Sequence, residues 1–178
     1  MIHGSYPQAE FEFVNLGISG DETVHLLARF ESDFVDVQPD IVSVMIGIND
    51  VWRNYDSGRE TTDECFEANL RQLLEGIKTR TNALLLVIQP ILLDVEDKLV
   101  MRSELNRKQA IVAKVADEYA DMYLPMDEIF HTEATGEPAY YAADGVHPTA
   151  DGACYIGEHY LGAVSPLIEE LLHAKSNE

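Results

Sequence analysis

The stretch Pro39-Asp40-Ile41-Val42-Ser43-Val44-Met45-Ile46-Gly47-Ile48-Asn49-Asp50 decides the fold. Pro39 and Asp40 break whatever precedes them, and the run from Ile41 to Ile46 is almost continuously apolar before Gly47 closes it. A strand with one wet face alternates apolar and polar residues, whereas a run like this one belongs to a strand covered on both faces. Helices must therefore lie on either side of it.

Working outward, the same alternation of elements recurs. Upstream, Phe11 to Leu16 has the β-branched and aromatic bias of a strand and closes at Gly17. Helical spacing through Val24, Leu27, Phe30 and Phe34 follows. Downstream, a helix is expected from about Asp63 to Lys78, then a strand from Ala83 to Ile88 stopped by Pro90. After a Leu92–Asp97 loop, a long helix runs from about Val100 to Tyr119, and a short strand, Asp121 to Leu124, ends at Pro125. A polar loop spans His131 to His147. The last helix starts near Thr149 and continues through Ile156, Leu161, Leu167, Ile168 and Leu171. Its glycines, Gly152, Gly157 and Gly162, point to close packing, and Pro166 to a kink. Four strands alternating with helices imply an α/β domain with a parallel sheet, a three-layer α/β/α sandwich, in one unit over residues 1–178. Ligands in such sheets bind outside the carboxyl ends of the strands, so the loops starting at Gly17, Gly47, Gln89 and Pro125 form the expected rim.

Bulk properties narrow the function classes. The 178 residues carry 32 acidic against 12 basic side chains, a formal charge of −20, which repels phosphate backbones and anionic headgroups. No nucleic-acid partner and no membrane partner is expected, and no apolar run approaches the roughly 20 residues of a membrane span. The two cysteines, Cys65 and Cys154, show neither C-x-x-C nor Cys/His metal spacing, so neither a metal nor a disulfide framework is expected. Residues 1–12 carry no export signal, which places the chain in the cytoplasm as a first expectation.

Three segments on the expected rim could carry chemistry. In Asp144-Gly145-Val146-His147-Pro148, the spacing lets a carboxylate reach the Nδ1 of a following imidazole and leaves Nε2 as a general base. The competing structural reading is a helix start, with Asp144 satisfying local backbone donors. In Gly47-Ile48-Asn49-Asp50, the Asn49 amide could donate to a developing oxyanion, or the segment could be an Asx-turn or helix cap at a strand end. In Asn15-Leu16-Gly17-Ile18-Ser19-Gly20, Gly17 could offer an unobstructed N–H to the same oxyanion, or form a plain tight turn.

Taken together and in this order, N-x-G-x-S-G, G-x-N-D and D-x-x-H-P before a C-terminal helix, the chain resembles the SGNH (GDSL-type) hydrolase family. The resemblance covers essentially the whole chain and implies the flavodoxin-like fold of that family. It implies His147 as general base, Asp144 as its orienting acid, and Gly17 and Asn49 as oxyanion-hole positions, with no cofactor. In the family these groups assist a serine that becomes acylated. Trp52, Arg53 and Tyr141 are candidate pocket residues, each with a plain packing or surface role as the alternative.

One block of the family is missing. Its G-D-S motif follows the first strand, which should precede Phe11, and no Gly-Asp-Ser occurs anywhere in this sequence. Ser5 sits in a short segment before Tyr6-Pro7, Ser19 in the second block, and Ser57 in a loop, so none is assigned as nucleophile. An N-terminally shortened esterase, with its first strand missing, is favoured over a protein that lost only its nucleophile. The leading expectation is therefore a serine ester hydrolase type that acts on small or carbohydrate-borne acyl esters, inactive or weak in this chain. The alternatives are a non-catalytic binding module for acylated sugars or a protein partner, and a nucleotide-binding domain, which lacks both G-x-G-x-x-G and a P-loop.

Overall fold

A computed structural model describes residues 2–176. Three parallel strands, β1 (Ile41–Met45), β2 (Leu84–Ile88) and β3 (Met122–Leu124), form one sheet in the order β1-β2-β3. Ile41 is level with Leu84 and Met45 with Ile88; on the other side Leu86 is level with Met122. The connections hold the helices α1 (Thr23–Ala28), α2 (Ile48–Ser57), α3 (Asp63–Arg80), α4 (Arg102–Tyr119), α5 (Met126–Thr132) and α6 (Ala150–Ser176).

The central strand shows why three layers form. Its side chains alternate between faces, and both sets are buried. Leu85 and Val87 join Val42 and Val44 under α3 and α4, with Leu26 and Leu27 of α1 at the margin. Leu86 and Ile88 pack on the opposite side against Met126 and Phe130 of α5 and Val164, Leu167 and Ile168 of α6. In α3 the apolar positions Phe66, Leu70, Leu73, Leu74 and Ile77 follow helical spacing and are fully buried. Each such side chain contributes about 1.5–3 kcal/mol of burial. Thr62 starts this helix by accepting the Cys65 N–H at 3.2 Å, and Lys78 and Arg80 sit in its last turn, where cations favour the helix dipole.

The structure departs from the sequence reading in four places. The sheet has three strands among the described residues, not four, because Phe11–Leu16 is extended chain without strand pairing. A strand exists only through a ladder to a neighbour, and the lane between this segment and β1 is an open cavity. Second, the segment after Gly47 is the helix α2 rather than a loop. Gly47 makes the turn with φ of 120°, and a Cβ there would lie 3.0 Å from the Phe66 ring, so strand and helix can meet only through glycine. Third, the helix expected through Phe34 is α1 followed by a π-helical stretch, Glu31–Val35. Fourth, α5 and a single turn, Pro138–Tyr141, occupy ground read as strand end and loop. Of the close-packed glycines, Gly152 fits the expectation: a Cβ there would lie 2.0 Å from the Tyr141 carbonyl oxygen. Gly162 faces open space.

Candidate active site

The rim at the carboxyl ends of the strands is built from three pieces of chain. The first is the loop of residues 142–149, pinned by the Leu93 N–H donating to the Gly145 carbonyl at 2.7 Å. Gly145 has φ of 82°, and a Cβ on it would approach the Leu93 carbonyl oxygen to 2.8 Å. Only glycine lets the loop lie this close to the end of β2. Inside it, Asp144 Oδ1 accepts the N–H groups of Val146 (3.0 Å) and His147 (2.8 Å), and Oδ2 contacts His147 Nδ1 at 2.8 Å.

Partial burial pushes the Asp144 carboxyl up, but the hydrogen bonds from the His147 N–H, the imidazole and the Val146 N–H outweigh it and bring it down to about 2. The carboxylate is thus ionised at neutral pH and can only accept, so Nδ1 must carry the proton. That fixes the tautomer and leaves the Nε2 lone pair facing outward on an imidazole that is 68% exposed. The same carboxylate accepts the backbone N–H groups of the turn and contacts the ring.

The second piece is α2. The His147 ring packs at 5.8 Å, centroid to centroid and tilted by 51°, against Trp52, one turn beyond Asn49 on the same helix. The Lys98 ammonium lies 4.3 Å from the Trp52 ring. Val51 of α2 is fully buried with Leu92, Met101 and Leu105, which anchors the helix on α4. The Asn49 amide donates one proton to the Asp21 carbonyl at 3.0 Å, leaving its second proton uncommitted.

The third piece is the chain from Asn15 to Thr23. The Gly17 N–H donates to its neighbour Asn15 Oδ1 at 3.0 Å, so in this conformation it is committed to a local turn. Gly17 and Asn49 line one cavity of about 730 Å³. His147 and Asp144 lie outside its lining, as does Trp52, the α2 residue that His147 packs against.

Asp50, which the sequence reading passed over, ties the second and third pieces together. Its carboxylate is completely buried and accepts the Thr23 hydroxyl at 2.6 Å and the Thr23 N–H at 3.1 Å. Burial pushes its pKa up, and the two bonds from Thr23 oppose that. Asn69 donates to the Thr23 hydroxyl at 3.1 Å, and Arg59 pairs with Glu22. The signal was present as the acid that directly follows Asn49. What sequence could not supply was its partner, Thr23.

The remaining candidates have contacts of their own. Arg53 of α2 is half-buried, pairs with Asp56, and lies against Gly20, where an added Cβ would come within 3.0 Å of its guanidinium. Tyr141 packs against Phe130 and Tyr155. Ser57 donates its hydroxyl to the Arg53 carbonyl at 2.8 Å, and Ser19 is exposed in the turn between Ile18 and Asp21. Ser5 precedes Tyr6, whose hydroxyl reaches Ser165 and Glu169 on α6. Ser165 is about 22 Å along that helix from its first turn. Among the described residues, no hydroxyl is hydrogen-bonded to His147 Nε2, and no group of three or more His, Cys, Asp or Glu side chains could hold a metal ion.

Residues 5–153 match the GDSL-like Lipase/Acylhydrolase family. An acetylxylan esterase of Geobacillus stearothermophilus is 31% identical over 166 residues, covering 90% of this chain and 75% of that protein. Thioesterase 1/protease 1/lysophospholipase L1 of Escherichia coli K12 is 29% identical, covering 90% of this chain and 71% of that protein. The crystal structure of the Geobacillus acetylxylan esterase superposes with a TM-score of 0.80 over 90% of this chain and 75% of its own. LAE5, an alpha/beta hydrolase from the Lake Arreo metagenome, superposes at 0.83 with 26% identity, over 93% and 78%. The chain belongs to the GDSL-like lipase/acylhydrolase family, an α/β family of serine ester hydrolases. Among the described residues, no helix is long and apolar enough to cross a membrane.

Proposed function

We propose that this chain carries the base, the orienting acid and the oxyanion donors of an esterase that removes acetyl or other short acyl groups from sugars. The observation that carries the reading is the Asp144–His147 pair, held at 2.8 Å with Nε2 open, above the helix that bears Asn49. A hydroxyl brought to Nε2 would lose its proton to His147 as its oxygen attacks the ester carbonyl. The developing oxyanion would take the free Asn49 amide proton, and the Gly17 N–H once it is released from Asn15. His147 then protonates the departing alcohol, and water resolves the acyl-enzyme by the same route in reverse. The acetylxylan esterase relative supports a carbohydrate-borne ester over a lipid one, as does the acidic surface.

The chain as it stands needs that hydroxyl. Purified, it should hydrolyse p-nitrophenyl acetate little better than its His147→Ala variant. Fusing a strand-Gly-Asp-Ser-helix segment ahead of Tyr6 should raise acetate release from acetylated xylo-oligosaccharides by about 10²–10⁴-fold, and His147→Ala should abolish the gain. A fusion that folds but gains nothing, or whose gain ignores His147, refutes the proposal. The lack of a hydroxyl hydrogen-bonded to Nε2 among the described residues favours a second reading, a non-catalytic module that holds acylated sugars. Binding of the acetylated sugar without turnover, in the chain and in the fusion alike, would support it.

A further inference from the structure

The chain that leaves the carboxyl end of β2 is buried in its middle, with Ile91, Leu92 and Leu93 each less than a tenth exposed. Backbone groups in a buried segment have no water to turn to, so each needs a partner within the protein. The Pro90 carbonyl accepts the Gln109 side-chain amide of α4 at 2.8 Å. The Leu92 N–H donates to Asp127 Oδ1 at 2.7 Å, and the Leu93 N–H to the Gly145 carbonyl, also at 2.7 Å. The last of these bonds joins the segment to the loop that carries Asp144 and His147.

Both neighbours of Leu93 are held by one ion pair. Asp127, on α5 and 5% exposed, accepts the Leu92 N–H through Oδ1 and Arg102 Nη1 of α4 through Oδ2, the latter at 2.7 Å. Arg102 Nη2 lies 3.6 Å from Asp94 Oδ1. His131, one turn along α5, holds the guanidinium from a third side. Its Nδ1 faces the Asp127 carbonyl at 2.7 Å, and a carbonyl can only accept, so Nδ1 carries the proton and a neutral ring leaves Nε2 to accept Arg102 Nη2 at 3.3 Å. Helices α4 and α5 thus set where Leu92 and Asp94 lie, and Leu93 between them passes that placement on to Gly145. The joint is tight, since a Cβ on Gly145 would lie 2.8 Å from the Leu93 carbonyl oxygen and 3.3 Å from Val95 Cβ. A shift of residues 92–95 therefore moves the turn that holds His147.

We propose that Asp127 is a positioning residue for the Asp144–His147 pair, acting through Arg102 and residues 92–94. Its meaning for catalysis rests on the esterase reading above; the mechanical link does not. Asp144 keeps its bonds to the Val146 and His147 N–H groups and to the imidazole only while the turn around Gly145 holds its shape. In a catalytic site a misplacement of about 1 Å costs about 10²-fold in rate. The aspartate is needed for both of its oxygens: alanine offers no acceptor, and asparagine keeps one for Leu92 but turns an N–H towards Arg102.

The test compares Asp127→Ala and Arg102→Gln in the purified full chain with Asp121→Ala as a matched control. Asp121 likewise accepts one N–H of β2, that of Leu85 at 2.7 Å, and one cation, Lys78 at 2.7 Å, but towards the amino end of the strand. In Asp127→Ala, three signals read by NMR should change together. The Leu93 amide should exchange at least about tenfold faster. The His147 Nδ1 proton should broaden or move upfield as its bond to Asp144 loosens. The acid titration of Asp144 should rise from about 2 towards the ordinary 3.8. Arg102→Gln, which leaves the acceptor for Leu92 in place, should move the same signals in the same direction by less, and it decides the matter if Asp127→Ala does not fold. Asp121→Ala should lower the Tm and move none of them. Unchanged signals in folded Asp127→Ala, or in Arg102→Gln where only that variant folds, would overturn the positioning role. An equal change in Asp121→Ala would overturn it too, by making the effect one of general stability. None of the three signals involves an ester, so a failed esterase reading and a failed positioning role give different results.

Discussion

Gly152→Ala tests how the His147 loop is held. In the first turn of α6, a Cβ at this position would lie 2.0 Å from the Tyr141 carbonyl oxygen, 2.9 Å from its carbonyl carbon and 3.2 Å from its Cα. These are backbone atoms, so no side-chain rotation relieves the overlap. The same carbonyl accepts the Thr149 N–H at 2.8 Å and the Thr149 hydroxyl at 3.2 Å, and Thr149 follows His147 by two residues. Moving it breaks the joint between the loop and the helix. Overpacking costs about 1–3 kcal/mol when side chains can adjust. A backbone clash with loss of a hydrogen bond belongs at the top of that range, near ~3 kcal/mol. For a chain of this size that is a fall in Tm of about 6–12 °C, read by thermal or urea denaturation. Gly162→Ala is the matched control on the same helix: it meets nothing within 4 Å and should raise stability by about 0.5–1 kcal/mol through helix propensity. If Gly152→Ala shifts stability by less than about 0.5 kcal/mol, the size of an ordinary surface substitution, the packing of Tyr141 on α6 described above is wrong.

Asp144→Asn should remove an acid-sensitive increment of stability. Held at about 2 against an ordinary 3.8, the folded carboxylate binds its proton less tightly than the unfolded one, so its contribution is complete above about pH 4 and lost as the pH falls towards 2. Acid denaturation of wild type and variant should converge at the low end of that window, and parallel curves would refute this. Asp50→Ala should cost about 2–4 kcal/mol by leaving the buried Thr23 N–H and hydroxyl without an acceptor, measured by urea unfolding. An unchanged midpoint would show that Asp50 does not join α2 to the loop before α1. Because burial raises the Asp50 pKa, its charged form opposes folding at neutral pH, and that opposition should ease as the pH falls through the raised value. Trp52→Ala should free the His147 ring, seen as loss of the ring-current shift on its proton resonances. Resonances that stay put would mean the two rings do not stack in solution.

The elements legible in the sequence were those whose signals are local. Ala83–Ile88 declares a strand covered on both faces because every position is apolar, and the spacing of Phe66, Leu70, Leu73 and Leu74 declares one buried stripe of a helix. Ile41–Ile46, expected to be covered on both faces too, is a strand with one buried side, Val42 and Val44, while Ser43 and Met45 are exposed. The Asp144–His147 pair was legible for the same reason, since three residues of separation in a turn hold both partners. Phe11–Leu16 has the composition of a strand but lacks a ladder, because pairing depends on what lies beside it and not on its own residues. Ile48-Asn49-Asp50 reads equally as an Asx-turn or a helix cap at a strand end, and the burial of Val51 against Leu92 and Leu105 decides for the helix. Tertiary structure alone decided that Asp50 meets Thr23, 27 residues away in sequence, that Trp52 packs against His147, and that Tyr141 packs against Phe130 and Tyr155. Each of these is a contact between elements, set by which faces the core leaves free once the sheet is covered, and no window of neighbouring residues contains that information.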